Sequence, residues 1–307
     1  MSTSEASNTV LKLREAFSSA RAPLQITQDP YDGGPKHLRR LARLTAGDRA
    51  EASDLFLYAQ SALYGSNLQT QLLAYVLPFC LEAWREDLLG TNGGYGGFVE
   101  HLYPLLANKR VFDLHLDPRQ SAAVADFMRE TILDEIDAQR GLTYRGSGAR
   151  PYRWVTALTT YGVLLPDVEV LWNRWWSLDT VGKATAAVQY ISCLMYPENE
   201  NPVFAPWTPN EGGGPPSLWE FGGHLYSHKW LPTNVAFLMR ALTPQGVAEV
   251  LTRAVSKLAD DEAAPTALGI QEDIPFCMDI LKSRCGELPR ILETRDDKAR
   301  PLPEWTT

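Results

Sequence analysis

The sequence predicts a mainly α-helical protein, a multi-helix bundle with little or no β-structure. Apolar residues recur at helical spacing through both ends of the 307-residue chain. Cap-proline pairs mark helix starts at Asp117-Pro118 and Thr243-Pro244. With 45% hydrophobic residues, a chain of this length can bury a large core.

The individual helices follow from the same spacing. The segments after Pro118 and Pro244 each carry one apolar stripe, and Pro78 is expected to bend the helix that contains it. The stretch 152–165 is rich in valine, threonine and aromatic residues, so we expect a short strand or hairpin there. Further helices are predicted at 4–19, 36–44, 46–64, 68–89, 98–108, 167–176, 179–195, 233–242 and 273–284.

Two helical halves, 1–150 and 151–307, are predicted to share one compact unit. The tripeptide His-Leu-Tyr occurs at 101 and again at 224, each time ahead of a cap-proline pair. Two interpretations stay open: a duplication, or convergence on a common way to build a helical hairpin. The segment 197–216 holds six prolines and three consecutive glycines and is predicted to be an irregular loop that packs against another part of the protein.

The composition of the chain argues against several classes of function. The net charge is −8, with 16 basic against 18 acidic residues up to Arg150 and 13 against 19 after it. Because phosphate binding needs a basic face, we predict no nucleic-acid partner. No run of eighteen apolar residues and no basic, apolar leader occurs, so we expect a cytoplasmic protein without a membrane partner. The four cysteines form no C-x-x-C pair and are predicted to be reduced.

The glycine-rich segment GGYGG (93–97) lacks the spacing and context of a dinucleotide-binding loop. We expect it to end one helix and turn the chain into the next. Tyr95 and His101 nevertheless lie in or just after it and are kept as candidate ligand contacts.

A second pattern resembles a metal site. Glu220, His224 and His228 are spaced E-x3-H-x3-H, so on a continuous helix they would share one face and could bind zinc or another divalent metal. Gly222 and Gly223 disfavour that helix. The alternative is an aromatic packing segment without a cofactor, and this is the interpretation we favour.

Seven of the nine tryptophans fall between 154 and 230, beside the proline-rich loop. Such clustering is typical of a recognition surface, and the alternative is a tryptophan-rich core. In the sequence WNRWW (172–176), consecutive tryptophans cannot both face inward, so at least one is expected at an interface or groove. The candidate binding residues are Trp175, Trp176, Phe204, Trp207, Trp219, Tyr226, Trp230, Tyr95 and His101.

The runs LLAYVLPFCLEAWREDLLG (72–90) and FVEHLYPLLANKRVFDLHLDPRQSAAVADFMRETI (98–132) resemble bacterial helical domains of the toxin-immunity type. The resemblance covers about residues 68–137, with an echo in 218–258, and consists mostly of hydrophobic spacing. It implies an all-α protein that neutralises a secreted toxin. Such a family has no catalytic residues to transfer, and this chain departs from it in its length and its Trp- and Pro-rich second half.

We therefore predict a cytoplasmic, non-catalytic binding protein that occludes a protein partner, such as a cognate bacterial toxin domain. The reasons are the acidic balance, the aromatic loop region and the lack of a recognisable nucleophile motif. The alternative is an enzyme that uses the 207–230 region, either a metal-dependent hydrolase or one acting on an aromatic or sugar ligand.

Overall fold

The structure, a computed structural model, describes residues 3–31, 34–45, 47–90, 97–142, 150–197, 200–204, 218–223 and 225–295. Within these ranges the chain forms fourteen α-helices and no β-strand, which confirms the predicted mainly α-helical fold. Each helix in the same ranges is too short or too polar to cross a bilayer. A short 3₁₀ helix covers Leu218–Glu220. The α-helices are α1 Thr3–Ala16, α2 Lys36–Leu41, α3 Ala52–Tyr64, α4 Thr70–Leu88, α5 Phe98–Asn108, α6 Val111–Leu114, α7 Pro118–Asp137, α8 Arg150–Leu164, α9 Val168–Trp176, α10 Val181–Met195, α11 Pro232–Ala241, α12 Pro244–Lys257, α13 Ala264–Glu272 and α14 Ile274–Thr294.

Both predicted cap-proline starts are confirmed. The backbone N–H of Gln120 donates to Asp117 Oδ1 at 2.8 Å, ahead of Pro118 at the first position of α7. At α12 the N–H of Gly246 donates to Thr243 Oγ1 at 3.1 Å. Each cap supplies an acceptor to a backbone N–H that has no partner within its own helix.

The strand or hairpin expected at 152–165 was wrong, because this stretch lies in α8. Its threonine hydroxyls bond within the helix: Thr159 Oγ1 donates to the carbonyl of Val155 and Thr160 Oγ1 to that of Thr156, both at 3.0 Å. Thr159 Oγ1 also lies 2.8 Å from the carbonyl oxygen of Phe221, outside α8, so these hydroxyls have acceptors both within the helix and beside it. Residues on several faces of α8 are buried, so its apolar residues do not show the 3.6-residue period of a surface helix. The sequence pattern therefore wrongly indicated a strand.

Gly90, three residues before GGYGG, and Gly97, its last residue, mark a helix end and a helix start. Gly90 has φ +67° just after α4, and Gly97 has φ +82° immediately before α5. Left-handed backbone of this kind favours glycine. The predicted role as helix punctuation is confirmed at these two positions, and residues 91–96 lie outside the described part of the chain.

The chain divides into two compact units, residues 1–131 and 132–307, and the division falls within α7. In the first unit α3 packs against α2 and α5, and α4 packs against α1 and α5. Its core includes Trp84, whose indole N–H donates to the hydroxyl of Tyr103 at 2.6 Å. The boundary at 150/151 and the internal duplication stay predictions.

All four cysteines are free thiols, as predicted. Cys80, Cys193 and Cys285 are buried and Cys277 is half-buried. Burial raises the pKa of the Cys285 thiol to about 11. The protonated thiol therefore dominates at neutral pH, and Cys285 is expected to react slowly with alkylating reagents.

In the second unit α10 is the central helix and packs against α9, α12 and α14. Its residues from Ala184 to Met195 are all buried. A helix that is apolar on every side belongs inside a domain. The helices around α10 position the candidate site described below.

Asn234 joins two helix ends in this unit. Its side-chain amide donates to the carbonyl oxygens of Gly162 at 2.9 Å and Leu165 at 2.7 Å, and its Oδ1 accepts from the N–H of Val168 at 3.3 Å. The residue is 1% exposed, so water does not replace these bonds. Asn234 therefore connects the end of α8 and the start of α9 to α11.

Replacing Asn234 with alanine is expected to lower the free energy of unfolding by about 3 kcal/mol, because the carbonyl of Leu165 and the N–H of Val168 lose this buried partner, while the carbonyl of Gly162 keeps the N–H of Leu231. Chemical denaturation followed by circular dichroism measures the loss. Asn173, an exposed asparagine on α9, supplies the matched control, and Asn173→Ala should change stability by less than about 0.5 kcal/mol. Equal stability of the two variants would contradict this role for Asn234.

Candidate functional site: an aromatic groove beside α9

The three tryptophans of WNRWW share one side of α9 but differ in burial. Trp172 and Trp175 are buried, with exposed fractions of 1% and 0%, whereas Trp176 is half-buried. Residues 172, 175 and 176 follow the i, i+3, i+4 spacing that places side chains on one side of a helix, and Trp176, about 100° round from Trp175, lies at the edge of that side. The prediction that one of the consecutive tryptophans lies at a groove or rim is confirmed.

Trp172 is the centre of an aromatic cluster. The centroid of its indole lies 5.0 Å from that of Trp175 and 4.9 Å from that of Trp176. Tyr190, Phe221 and Phe237 surround it at centroid distances of 5.9, 6.1 and 6.4 Å, with ring planes close to perpendicular. Edge-to-face contacts of this kind add to the free energy gained from burial. The cluster therefore gives Trp176 a rigid support.

A groove of about 710 Å³ opens beside this cluster and is called the aromatic groove below. The volume is in the range of pockets that enclose a small molecule or a few side chains of a partner. One wall comes from α9 and the other from the end of α11 and from α12. The lining residues are Trp172, Asn173, Trp176, Ala241, Gly246, Glu249, Val250, Thr252 and Arg253.

Arg253 fixes one end of the groove wall. Its Nη2 donates to the backbone carbonyl of Trp176 at 2.7 Å, at the last residue of α9. A guanidinium there also interacts favourably with the negative end of the helix dipole. The bond connects α12 to the backbone that bears the half-buried indole.

The groove also carries charges of both signs. One turn before Arg253, Glu249 Oε1 accepts a hydrogen bond from Gln245 Nε2 at 3.1 Å. Thr252 accepts a bond of 3.3 Å from Gln271 Nε2. An indole face beside a carboxylate, a guanidinium and a hydroxyl can bind a group that is apolar on one side and polar on the other.

Three of the predicted binding tryptophans pack in the core. Trp175, Trp219 and Trp230 have exposed fractions of 0%, 8% and 2%. The ring of Trp219 lies under the guanidinium of Arg284 at 5.0 Å. These indoles stabilise the second unit but offer a partner little surface. Among the described members of the predicted set, Trp176 and Tyr226 are more accessible than these three.

Phe204 is half-buried, and its ring centroid lies 6.1 Å from that of Tyr152 on α8. At Phe204 the proline-rich segment thus packs against α8, as predicted for the loop. Trp207 belongs to the segment 205–217, which lies outside the described residues.

Tyr226 lies on the segment that follows the 3₁₀ helix and is 57% exposed. The guanidinium of Arg295 is 5.9 Å from its ring centroid. Arg295 Nη2 also donates to the backbone carbonyl of Glu220, and the buried position lowers the Arg295 pKa to about 10. Arg295 thus fastens this segment to the end of α14.

The metal hypothesis required a continuous helix through Glu220, His224 and His228. The 3₁₀ helix instead ends at Glu220, and Phe221 and Gly223 have φ angles of +52° and +146°. The shared helix face is therefore not formed at this point. No trio of His, Cys, Asp or Glu suited to a metal occurs in the part of the chain that the structure describes, from which His224 is omitted. The interpretation that we favour, an aromatic packing segment without a cofactor, stays a prediction, and a divalent metal such as zinc stays its alternative.

His101 has a local role at the start of α5. Its Nδ1 donates to the carbonyl of Gly97 at 3.0 Å, and its Nε2 accepts from Gln60 Nε2 at 3.3 Å. The ring packs edge-on against Phe56 at 4.9 Å. These contacts hold α5 against α3. Tyr95, the other candidate of this segment, lies outside the described residues.

A serine and a histidine also meet in the first unit, without forming a reactive site. Ser61 Oγ lies 3.2 Å from His37 Nε2, but it donates to the carbonyl of Leu57 at 2.7 Å and accepts from the N–H of Tyr31 at 3.0 Å. Both side chains are buried, and burial lowers the pKa of His37. The pair ties the segment before α2 to α3.

Sequence reasoning missed Asn173, Glu249 and Arg253. Glu249 and Arg253 are four residues apart and lie outside the apolar stripe of α12, as the charges of any solvated helix face do. Their position opposite Trp176 depends on how α12 packs. The sequence carries no signal for that packing.

Comparisons with protein-family models, with curated proteins and with solved structures found no match to this chain.

Proposed function

We propose that this chain is a cytoplasmic, non-catalytic binding protein that occludes a protein partner by means of the aromatic groove. The observation that supports this most directly is the position of Trp176, a half-buried indole that lines an open groove and is backed by buried rings. Tryptophan and arginine are enriched among residues that dominate binding energy, and here Trp176 and Arg253 line the same groove.

Rigidity of the groove supports the proposal. The indole of Trp176 contacts Trp172 and Trp175 at centroid distances of 4.9 and 6.0 Å, and its backbone is held by Arg253. A side chain that is already ordered loses little conformational entropy when a partner binds. The entropy cost of ordering Trp176 would therefore subtract little from the free energy that its contacts with a partner contribute to binding.

The proposed partner is a basic protein, specifically a secreted bacterial toxin domain. The chain has a net charge of −8, and a surface of this sign favours association with basic partners. The resemblance of residues 68–137 to immunity-type domains supports the toxin class. An immunity protein acts in the cytoplasm by covering the toxin, so it needs an interface and no reaction centre.

Trp176→Ala is expected to weaken the complex by about 2 kcal/mol or more, which corresponds to about a 30-fold increase in Kd. The partner to use is the toxin domain encoded beside this gene, and titration calorimetry gives the Kd. The same pair can be co-expressed, and the variant should then protect the host less well.

Tyr31→Ala, which removes a 46% exposed tyrosine from the first unit, is the matched control and should bind like the unmodified protein. Thermal melting of both variants checks that they are folded. If Trp176→Ala binds the toxin as tightly as the unmodified protein does, the aromatic groove is not the binding site. If the unmodified protein forms no complex with the toxin, the immunity function is excluded.

A further inference from the structure

The ten residues 271–280, which span the end of α13 and the first turns of α14, form an unusual stretch of surface. They lie between buried Ile270 and buried Leu281, yet none of the ten is buried. The stretch is called the acid-flanked face below. Phe276 at its centre is 86% exposed.

This face is apolar although it does not contribute to the core. The core side of α14 begins at Leu281 and continues through Cys285, Leu288 and Leu292, at the spacing of one helix stripe. Before Leu281 the residues are equally apolar but remain accessible. These residues are Ile274, Pro275, Phe276, Cys277, Met278 and Ile280.

Single exposed apolar residues are common, but a contiguous apolar surface usually marks an interaction site. Leu268, one turn earlier on α13, is 48% exposed. The exposed leucine and phenylalanine thus lie on consecutive helices that pack against each other. A partner that covered this surface would remove apolar area from water, and that burial would favour binding.

The ten residues carry charges of one sign. Glu272, Asp273 and Asp279 lie within them, and they contain no lysine or arginine. Asp273 Oδ2 accepts a hydrogen bond from the hydroxyl of Tyr196 at 2.7 Å. The side chain of Asp279 is 99% exposed and forms an ion pair of 3.6 Å with Lys282, just beyond the face, and a pair so exposed to solvent is weak. Burial raises the pKa of Cys277, and the charges of Asp273 and Glu200 raise it further, in keeping with a negative local field.

We propose that the acid-flanked face docks a protein segment whose apolar side chains are surrounded by lysine and arginine. The apolar centre would receive the partner's apolar residues around Phe276. The carboxylates of Glu272 and Asp279 would face the basic residues at the edge. This inference goes beyond the aromatic groove and does not depend on it.

Charge argues against two other occupants. A second copy of this chain bound symmetrically would set the same carboxylates against one another. An anionic lipid surface would be repelled in the same way. A basic amphipathic segment satisfies both the apolar centre and the acidic edge.

The face begins beside the aromatic groove. Gln271, its first residue, donates to the hydroxyl of Thr252, which lines the groove. One protein partner could therefore cover both surfaces. A test must for this reason separate binding at Phe276 from binding at Trp176.

The test uses the full chain and a fluorescent, helical peptide of about 18 leucine and lysine residues with one apolar side. A peptide with glutamate in place of lysine is the charge control. We expect saturable one-to-one binding of the lysine peptide, which weakens as salt is raised, and much weaker binding of the glutamate peptide. Bound peptide should also slow alkylation of Cys277.

Phe276→Ser is expected to raise the Kd of the lysine peptide about tenfold or more, and Asp279→Lys should also raise it. Leu24→Ser, at a fully exposed leucine of the first unit, is the matched control and should have no effect. Because Phe276 is already exposed, its replacement should leave the melting temperature unchanged.

Several results would overturn the proposal. One is unchanged peptide binding by Phe276→Ser, and another is equal affinity for the glutamate peptide. If Trp176→Ala abolishes binding while Phe276→Ser does not, the peptide occupies the aromatic groove instead. A dimer in light scattering that Phe276→Ser dissociates would show that a second copy covers the face, and tight binding to anionic vesicles would show a lipid surface.

Discussion

Gly162→Ala is expected to destabilise the second unit by about 3 kcal/mol. Gly162 lies in α8, and a Cβ added there would be only 2.5 to 2.7 Å from three ring atoms of Trp230. Carbon atoms without a bond between them prefer about 3.5 to 4.0 Å, so the ring would have to move. Trp230 has little freedom to do so.

The position of Trp230 is fixed on several sides. The residue is 2% exposed, and its backbone N–H donates to the carbonyl of Leu292 at 3.1 Å. The next residue, Leu231, donates to the carbonyl of Gly162 itself, also at 3.1 Å. Moving the indole would disturb this junction of α8, α11 and α14, which explains the large expected effect.

Urea denaturation followed by circular dichroism measures this loss. Gly269→Ala in α13 and Gly286→Ala in α14 are matched controls, since a Cβ at either helical position meets nothing within 4 Å. Each control should gain stability, by up to about 1 kcal/mol, because alanine favours helix more than glycine does. The packing of Gly162 against Trp230 would be refuted by a Gly162→Ala variant that is as stable as these controls.

Trp172→Ala is expected to cost about 4 kcal/mol, through lost burial and the cavity left behind. Trp172 is 1% exposed, and its ring has five aromatic neighbours, so no single side chain can fill the space. Removing it also takes away the support of Trp176. If the proposed toxin partner binds at the aromatic groove, the same variant is expected to bind it more weakly, even under conditions where the variant is folded.

Val170→Ala on the same helix is the control for this substitution. Val170 is 45% exposed, so its truncation should change the free energy of unfolding by less than about 0.5 kcal/mol. Denaturation curves give the free energies of unfolding of the two variants. The intrinsic fluorescence spectrum of Trp172→Ala should also differ from that of Val170→Ala, because the remaining indoles of the cluster lose their native environment. A Trp172→Ala protein within about 1 kcal/mol of Val170→Ala would mean that the cluster is not a cohesive part of the core.

Much of the helical architecture could be predicted because its signals are local. A side chain such as Asp117 or Thr243 caps a helix with atoms only three residues away, and the apolar stripe of α12 repeats within the helix itself. The interpretation of 152–165 failed for a related reason. Its threonine hydroxyls find carbonyl acceptors inside α8, and that of Thr159 also reaches the carbonyl of Phe221; a scale based on average strand preference contains neither option.

The candidate site was predicted less completely. The WNRWW sequence indicated that one tryptophan would be displaced from the core, and Trp176 is that residue. The pattern could not show that Trp175, Trp219 and Trp230 are buried, because burial depends on which helices cover each ring. Neither could it show that Arg253, 77 residues along the chain, bonds to the backbone of Trp176.

Residue spacing and composition were enough to predict a helical chain and the starts of most of its helices, and they give its net charge of −8. These properties depend on the spacing of neighbouring residues and on composition. Only the tertiary structure decided that Trp176 lines the aromatic groove and that Phe276 lies exposed between acidic residues. Both depend on how helices distant in sequence pack together, and that packing is set by the fit of side chains over the whole unit.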